Sequence, residues 1–183
     1  IPGRVLRTII ATCFPTQRGL TVMLDLGANI ECNEKNLVQF AVMGEVYARN
    51  ELGLDQPSIG ILNVGVEGLK GNEAVKKASA ILTESPLPIK FYGFVEGDDL
   101  GAGTVDVIVT DGFTGNIALK IAEGTVKLFG YFLKEALSST VLSKLATLLA
   151  RPVLMKLRDR FDPRRYNGAM LLGLAVSYTA AFG

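Results

Sequence analysis

Three short polar turns carry the residues in this chain whose types and spacing can do chemistry. Leu24-Asp25-Leu26-Gly27-Ala28-Asn29 ends an apolar run on an Asp and follows it with a Gly and an Asn. The stretch from Asn63 to Asn72 (NVGVEGLKGN) places Gly65, Gly68 and Gly71 around Glu67 and Lys70, and ends on an Asn that can cap a helix. Val109-Thr110-Asp111-Gly112-Phe113-Thr114-Gly115-Asn116 closes a buried run and turns on two glycines into a helix that carries Lys120 one turn in. Glycines allow close backbone approach, and a helix N-terminus favours negative charge. The implied chemistry is the capture and positioning of an anion such as phosphate. Each turn alone also has a plain reading as a loop in which Asp25 caps amides and the glycines take positive φ. Three of them at one sheet edge favour an anionic-ligand site. The second is not a P-loop, because the GxxxxGK[ST] spacing is absent. The binding candidates are Asp25, Gly27, Asn29, Gly65, Glu67, Lys70, Asn72, Gly112, Thr114 and Gly115, and the catalytic candidates are Asp111, Asn116 and Lys120. Val95-Glu96-Gly97-Asp98-Asp99 adds further carboxylates.

The composition narrows the chemistry. The 183 residues contain no histidine, which excludes Ser-His and Cys-His nucleophiles, HExxH zinc sites and a histidine base. Cys13 and Cys32 lack CxxC spacing and read as reduced cytosolic thiols. A net charge of +1 gives no case for nucleic acid. The opening Ile1-Pro2-Gly3-Arg4 does not read as a signal peptide, and no apolar run reaches the roughly 18 residues of a membrane span.

The elements that must position the turns follow from hydrophobic period and caps. Strands are expected at 21–26, 58–64, 89–95 and 105–110. Asn33 and Asn72 are expected to cap helices over 34–51 and through Thr83, the first stopping at Gly53. Leu37, Phe40, Ala41 and Tyr47 form the buried stripe of the first, and Val75, Ala78, Ile81 and Leu82 that of the second. A long helix over 115–137 carries Ile117, Ile121, Val126, Phe129 and Leu133. Strands and helices alternate at short spacing, which predicts an α/β domain over 1–183 with a largely parallel sheet, ligands lying beyond the carboxyl ends of its strands.

The segments LDLGAN (24–29), LVQFAVMG (37–44), LNVGVEGLKGNE (62–73), GFVEGDDL (93–100), VDVIVTDGFTGNIALKIAEG (105–124) and YNGAMLLGL (166–174) together resemble the phosphate acyltransferase family of bacterial phospholipid synthesis, the PlsX type. Thr110 to Lys120 also resembles the D-x-x-x-G-N stretch of phosphate acetyl- and butyryltransferases. The resemblance implies a three-layer α/β sandwich like those of phosphotransacetylases and isopropylmalate dehydrogenases, with a protruding helical arm. It implies transfer of a long-chain acyl group from acyl carrier protein to inorganic phosphate, without a metal or a dissociable cofactor. The acyl phosphate would feed a membrane glycerol-3-phosphate acyltransferase. It further implies a homodimer that is cytoplasmic and peripheral at the membrane. The family's GGD-bearing first strand and its K-S-H-G tail are absent, so an N-terminal part is expected to be missing. Coenzyme A-dependent phosphate acyl transfer and a non-catalytic membrane partner of lipid-synthesis enzymes are the rival readings.

The arm is expected over 138–165. Leu142, Leu145, Leu149, Val153 and Leu157 form an apolar stripe on it. Pro152 is expected to kink or break the helix there. Lys144, Arg151, Lys156, Arg158, Arg160, Arg164 and Arg165 outnumber Asp159 and Asp162 on its polar side. Leu145, Leu149, Arg151, Val153, Lys156 and Leu157 are the expected contacts with a membrane or with acyl carrier protein, and packing between subunits is the plainer alternative.

Overall fold

A six-stranded sheet forms from the runs richest in β-branched and apolar residues. The computed structural model describes residues 7–160 and 170–172. Its strands are β1 (Ile9–Thr16), β2 (Gly19–Leu24), β3 (Ser58–Leu62), β4 (Lys90–Val95), β5 (Val107–Val109) and β6 (Met170–Leu172). Their order across the sheet is β4-β3-β5-β2-β1-β6. The four strands from β4 to β2 run parallel, while β1 pairs antiparallel with both β2 and β6. In register, Val109 lies opposite Leu24 on one side and Ile61 on the other, and Ile61 lies opposite Phe94. All four parallel strands therefore end at one level, and the turns after them leave from a single edge.

The helices are α1 (Glu34–Leu52), α2 (Glu73–Glu84), α3 (Asp99–Ala102), α4 (Gly112–Ser138) and α5 (Val141–Arg160). Leu37, Phe40 and Ala41 of α1 and Val75, Ala78 and Leu82 of α2 join Leu24, Ile59, Ile61, Val107 and Val109 in one core. Fully burying each large side chain there contributes about 2 kcal/mol. Gly44 lets α1 lie flat on the sheet, since a Cβ there would stand 2.6 Å from Val107 Cγ1. A second core holds Met23, Leu26, Val95, Leu100, Val105 and Ile108, with Ala118 and Leu119 of α4 packed against it. Helices thus add to both cores of a largely parallel sheet, as expected for a three-layer α/β fold.

The caps stand where the sequence places them. Asn33 and Asn36 form a reciprocal capping box on α1, Gly53 ends that helix in the left-handed region at φ 66°, and Asn72 accepts the Val75 amide at the start of α2. Other expectations are corrected. β1 was not expected: its link to β2 is the two-residue turn Gln17-Arg18, which lacks the Asn-Gly signature. Pro15 is tolerated in that strand because it lies beyond the Ile9–Ala11 stretch that pairs with β6. Ile81 is 41% exposed, because the buried stripe of α2 runs Val75-Ala78-Leu82 and leaves Ile81 at its margin. The single-turn α3 starts at the end of the carboxylate-bearing stretch 96–99, for which no element is expected. The long helix begins at Gly112, three residues before the expected start. Pro152 lies inside an unbroken α5, so no break occurs there.

Beyond its first turns α4 leaves the sheet. Gly112 and Gly115 are its buried residues, and from Gly124 through Arg158 the two long helices are exposed or half-buried throughout. They touch each other: Thr147 Oγ1 on α5 donates to the Leu137 carbonyl of α4 at 3.1 Å. Arg164, Arg165 and Asp162 of the expected basic arm lie outside the described residues.

Candidate functional site

The first turn is organised by one buried carboxylate. Asp25, with no solvent exposure, accepts from Ile10 N (2.9 Å), Ala28 N (3.3 Å), Asn29 N (2.6 Å) and Asn29 Nδ2 (2.8 Å). Its oxygens tie β1 to the turn and are turned away from solvent. Asp25 therefore holds the turn in shape, as in the plain reading in which it caps local amides. Asn29 extends the tie: Nδ2 also donates to the Thr8 carbonyl at 2.9 Å, and Oδ1 accepts from Arg7 at 3.3 Å.

The third turn is seated on the first. The Gly112 amide donates to the Asn29 carbonyl at 2.7 Å. A Cβ on Gly112 would lie 2.6 Å from that carbonyl oxygen, and one on Gly115 would overlap the Asp25 carbonyl. These glycines allow the close approach of α4 to the β2 turn. Asp111 caps α4 by accepting from the Thr114 amide and the Thr114 hydroxyl, both at 2.8 Å. Two early donors of α4, at Gly112 and Thr114, are therefore satisfied internally. Asn116 stands over the first turn, with its Cβ 3.8 Å from where a Gly27 Cβ would be. Gly27 holds φ at +132°, a conformation that favours glycine. Lys120 pairs with Glu123 at 3.2 Å and is not brought to Asp111.

The second turn leaves the sheet between those of β4 and β5, because β3 lies between these strands. Lys70 Nζ meets Glu67 Oε2 at 2.9 Å, and both side chains are exposed. This hydrogen bond holds the Glu67 carboxyl below its usual range and the Lys70 ammonium above its own, and the charge of Glu96 beyond β4 also favours protonated Lys70. The Lys70 stem folds over buried Gly65, where any Cβ would collide with it. Asn72 stands two residues on and caps α2. The edge thus presents Lys70 and the start of α2 on its second turn, and Arg7 with the Asn116 amide on the Asp25–Asn29–Gly112 brace of the first and third turns.

Two groups that the sequence reading left aside belong to this region. Asn63 threads the second turn, and its position just after a strand and among glycines was the available signal. Cys32 lies under the brace, its thiol donating to the Asn29 carbonyl at 3.6 Å. Burial first, then the charges of Asp111 and Asp25, push this thiol up to about 11. It is an inert thiol at neutral pH.

Residues 2–183 match the family described as fatty acid synthesis protein. A phosphate acyltransferase of Paramagnetospirillum magneticum is 65% identical over 174 residues, covering 95% of this chain and 49% of the relative. One from Rhodospirillum rubrum is 62% identical over 174 residues, with 95% and 50% covered. The chain spans about half the length of the curated relatives it matches. Among solved structures, a EutD phosphotransacetylase from Staphylococcus aureus superposes at TM-score 0.51 with 22% identity, over 69% of this chain and 44% of that one. A phosphotransacetylase from Streptococcus pyogenes gives 0.54 and 21%, over the same shares. These two similarities bear on the fold, which is that of the phosphotransacetylases.

Proposed function

The chain belongs to the fatty acid synthesis protein family, and on that premise we propose that it forms the phosphate-binding part of an enzyme that transfers a long-chain acyl group from acyl carrier protein to inorganic phosphate. The observation that carries this reading is the single sheet edge from which the turns bearing Lys70, the capped start of α2 and Asn116 leave. High identity to proteins named phosphate acyltransferase supports the reaction class.

Phosphate is already an anion at neutral pH and needs positioning and desolvation more than a strong base, so a chain without histidine is suited to it. Lys70 and the first amides of α2 hold the phosphate against its own charge repulsion. One phosphate oxygen attacks the thioester carbonyl, forming the new C–O bond. Negative charge gathers on the carbonyl oxygen, where Asn116 offers an amide donor. The C–S bond then breaks, and the carrier's sulfur leaves as a thiolate that takes up the proton given by phosphate. Asp111 works through the α4 turn that it caps. The product would be used by a membrane glycerol-3-phosphate acyltransferase, and peripheral membrane association and a homodimer complete the reading.

The arm supports contact with a membrane or a carrier. Leu142, Leu145, Leu149 and Val153 are 59–79% exposed along α5, beside exposed Lys144, Arg151, Lys156 and Arg158. Among the described residues no helix is long and apolar enough to cross a membrane. A basic amphipathic helix can instead lie in an anionic interface.

The test uses the full-length protein, acyl carrier protein thioester and phosphate, with hydroxylamine added to trap acyl phosphate. Hydroxamate that requires both substrates is expected. Formation only from coenzyme A thioesters would move the assignment to a coenzyme A-dependent transferase, and none from either donor would leave the non-catalytic reading.

A further inference from the structure

The second turn is wrapped around one side chain that the scheme above leaves without a task. Asn63 follows the last residue of β3, and its own amide still donates to the Val95 carbonyl at 2.8 Å, so its backbone is fixed to the sheet. Its carboxamide then reaches back across the turn. Nδ2 donates to the Gly65 carbonyl at 3.0 Å and to the Lys70 carbonyl at 3.1 Å, using both amide hydrogens to join residues at opposite ends of the loop. From the far side Gly71, at φ +93°, presses on the same group: a Cβ there would lie 2.9 Å from Asn63 Cγ and 3.0 Å from Nδ2.

The consequence falls on Lys70. Its amide donates to the Glu67 carbonyl at 3.0 Å and its carbonyl is held by Asn63, so the peptide groups on both sides of its Cα are pinned. Only Gly71 separates it from the Asn72 cap of α2. One carboxamide, anchored to the sheet, thus sets where the Lys70 stem starts and where α2 begins.

We propose that Asn63 is a positioning residue for the phosphate site, acting through Lys70 and the start of α2 rather than by touching phosphate. The proposal rests on the phosphate-binding reading of this turn. Removing the carboxamide leaves two carbonyls without their donor and releases the loop while Lys70 itself remains. Phosphate use should suffer, and acyl-donor use should not.

The test compares wild type, Asn63→Ala, Gly71→Ala and Lys70→Ala in the full-length protein, varying phosphate and the acyl-carrier-protein thioester in turn. Gly71→Ala strikes the same brace from the other side, and it strains a left-handed position as well. Asn63→Ala and Gly71→Ala are both expected to raise the KM for phosphate about tenfold. The KM for the thioester, and kcat at saturating phosphate, should stay within about twofold. Thermal unfolding of each variant separates loop release from global loss. An unchanged phosphate KM in Asn63→Ala, or an equal decline of every kinetic constant alongside a lowered Tm, would overturn the proposal. Should Lys70→Ala leave phosphate use at the wild-type level, the phosphate reading of the turn fails and takes the proposal with it.

Discussion

At the scale of single residues, the chemistry-bearing side chains divide into those that face solvent and those that hold the frame. Lys70, Glu67 and Asn116 are exposed, while Asp25 is wholly buried and Asp111 is engaged with Thr114. Cys32 reports on that frame. Its thiol is raised to about 11 by burial and by the negative charges of Asp111 and Asp25. The thiol is therefore almost wholly protonated at pH 8.5. Replacing Asp111 by Asn keeps a good cap but removes a charge that disfavours the thiolate, so the thiol pKa must fall and alkylation must speed up. Site-resolved mass spectrometry of iodoacetamide-treated Asp111→Asn should show roughly two- to tenfold faster modification of Cys32 at pH 8.5. A rate equal to that of wild type would mean that the Asp111 carboxylate does not bear on this thiol. The residue types of the site were legible in the sequence, but their division of labour was not. Gly112 and Gly115 have the same signature whether a helix approaches a ligand or a neighbouring turn, and the Asn29 and Asp25 carbonyls beneath them are visible only in the fold.

At the scale of elements, caps and parallel strands were readable because their signals are local. Asn33, Asn72 and Gly53 act within a few residues of themselves. β1 and β6 were not readable, because they join the sheet through antiparallel partners that no short-range signal marks. Of the kink or break expected at Pro152, the break does not occur, because an exposed helix with a partner along part of its length can continue past a proline. The α4–α5 hairpin is the element whose role most needs testing. It presents Leu145 and Leu149 at 59% and 79% exposure, next to basic side chains. Each Lys or Arg near anionic lipid contributes about 1 kcal/mol to membrane binding. Leu145→Glu with Leu149→Glu should abolish sedimentation with anionic vesicles while leaving acyl phosphate synthesis in solution intact. Undiminished vesicle binding would rule out this face as an anchor. A folded variant that no longer makes acyl phosphate would identify the face as the carrier dock.

At the scale of the whole molecule, the fold gathers its polar turns at one edge by ending four parallel strands in register, and it rigidifies that edge from below through Asp25 and Asn29. On the proposed reading, function depends on a few exposed groups whose loss should barely disturb stability. Lys70 is the sharpest case, since it is the one lysine of the second turn and its ion pair with Glu67 is a surface contact worth little to folding. The most direct measurement is the phosphate dependence of hydroxylamine-trapped acyl phosphate for wild type, Lys70→Ala and Asn116→Ala, with folding checked by thermal unfolding. Loss of one such donor should cost on the order of 3 kcal/mol of barrier, about a hundredfold in kcat/KM for phosphate, at a nearly unchanged Tm. Wild-type kinetics in both variants would contradict the placement of phosphate at this sheet edge.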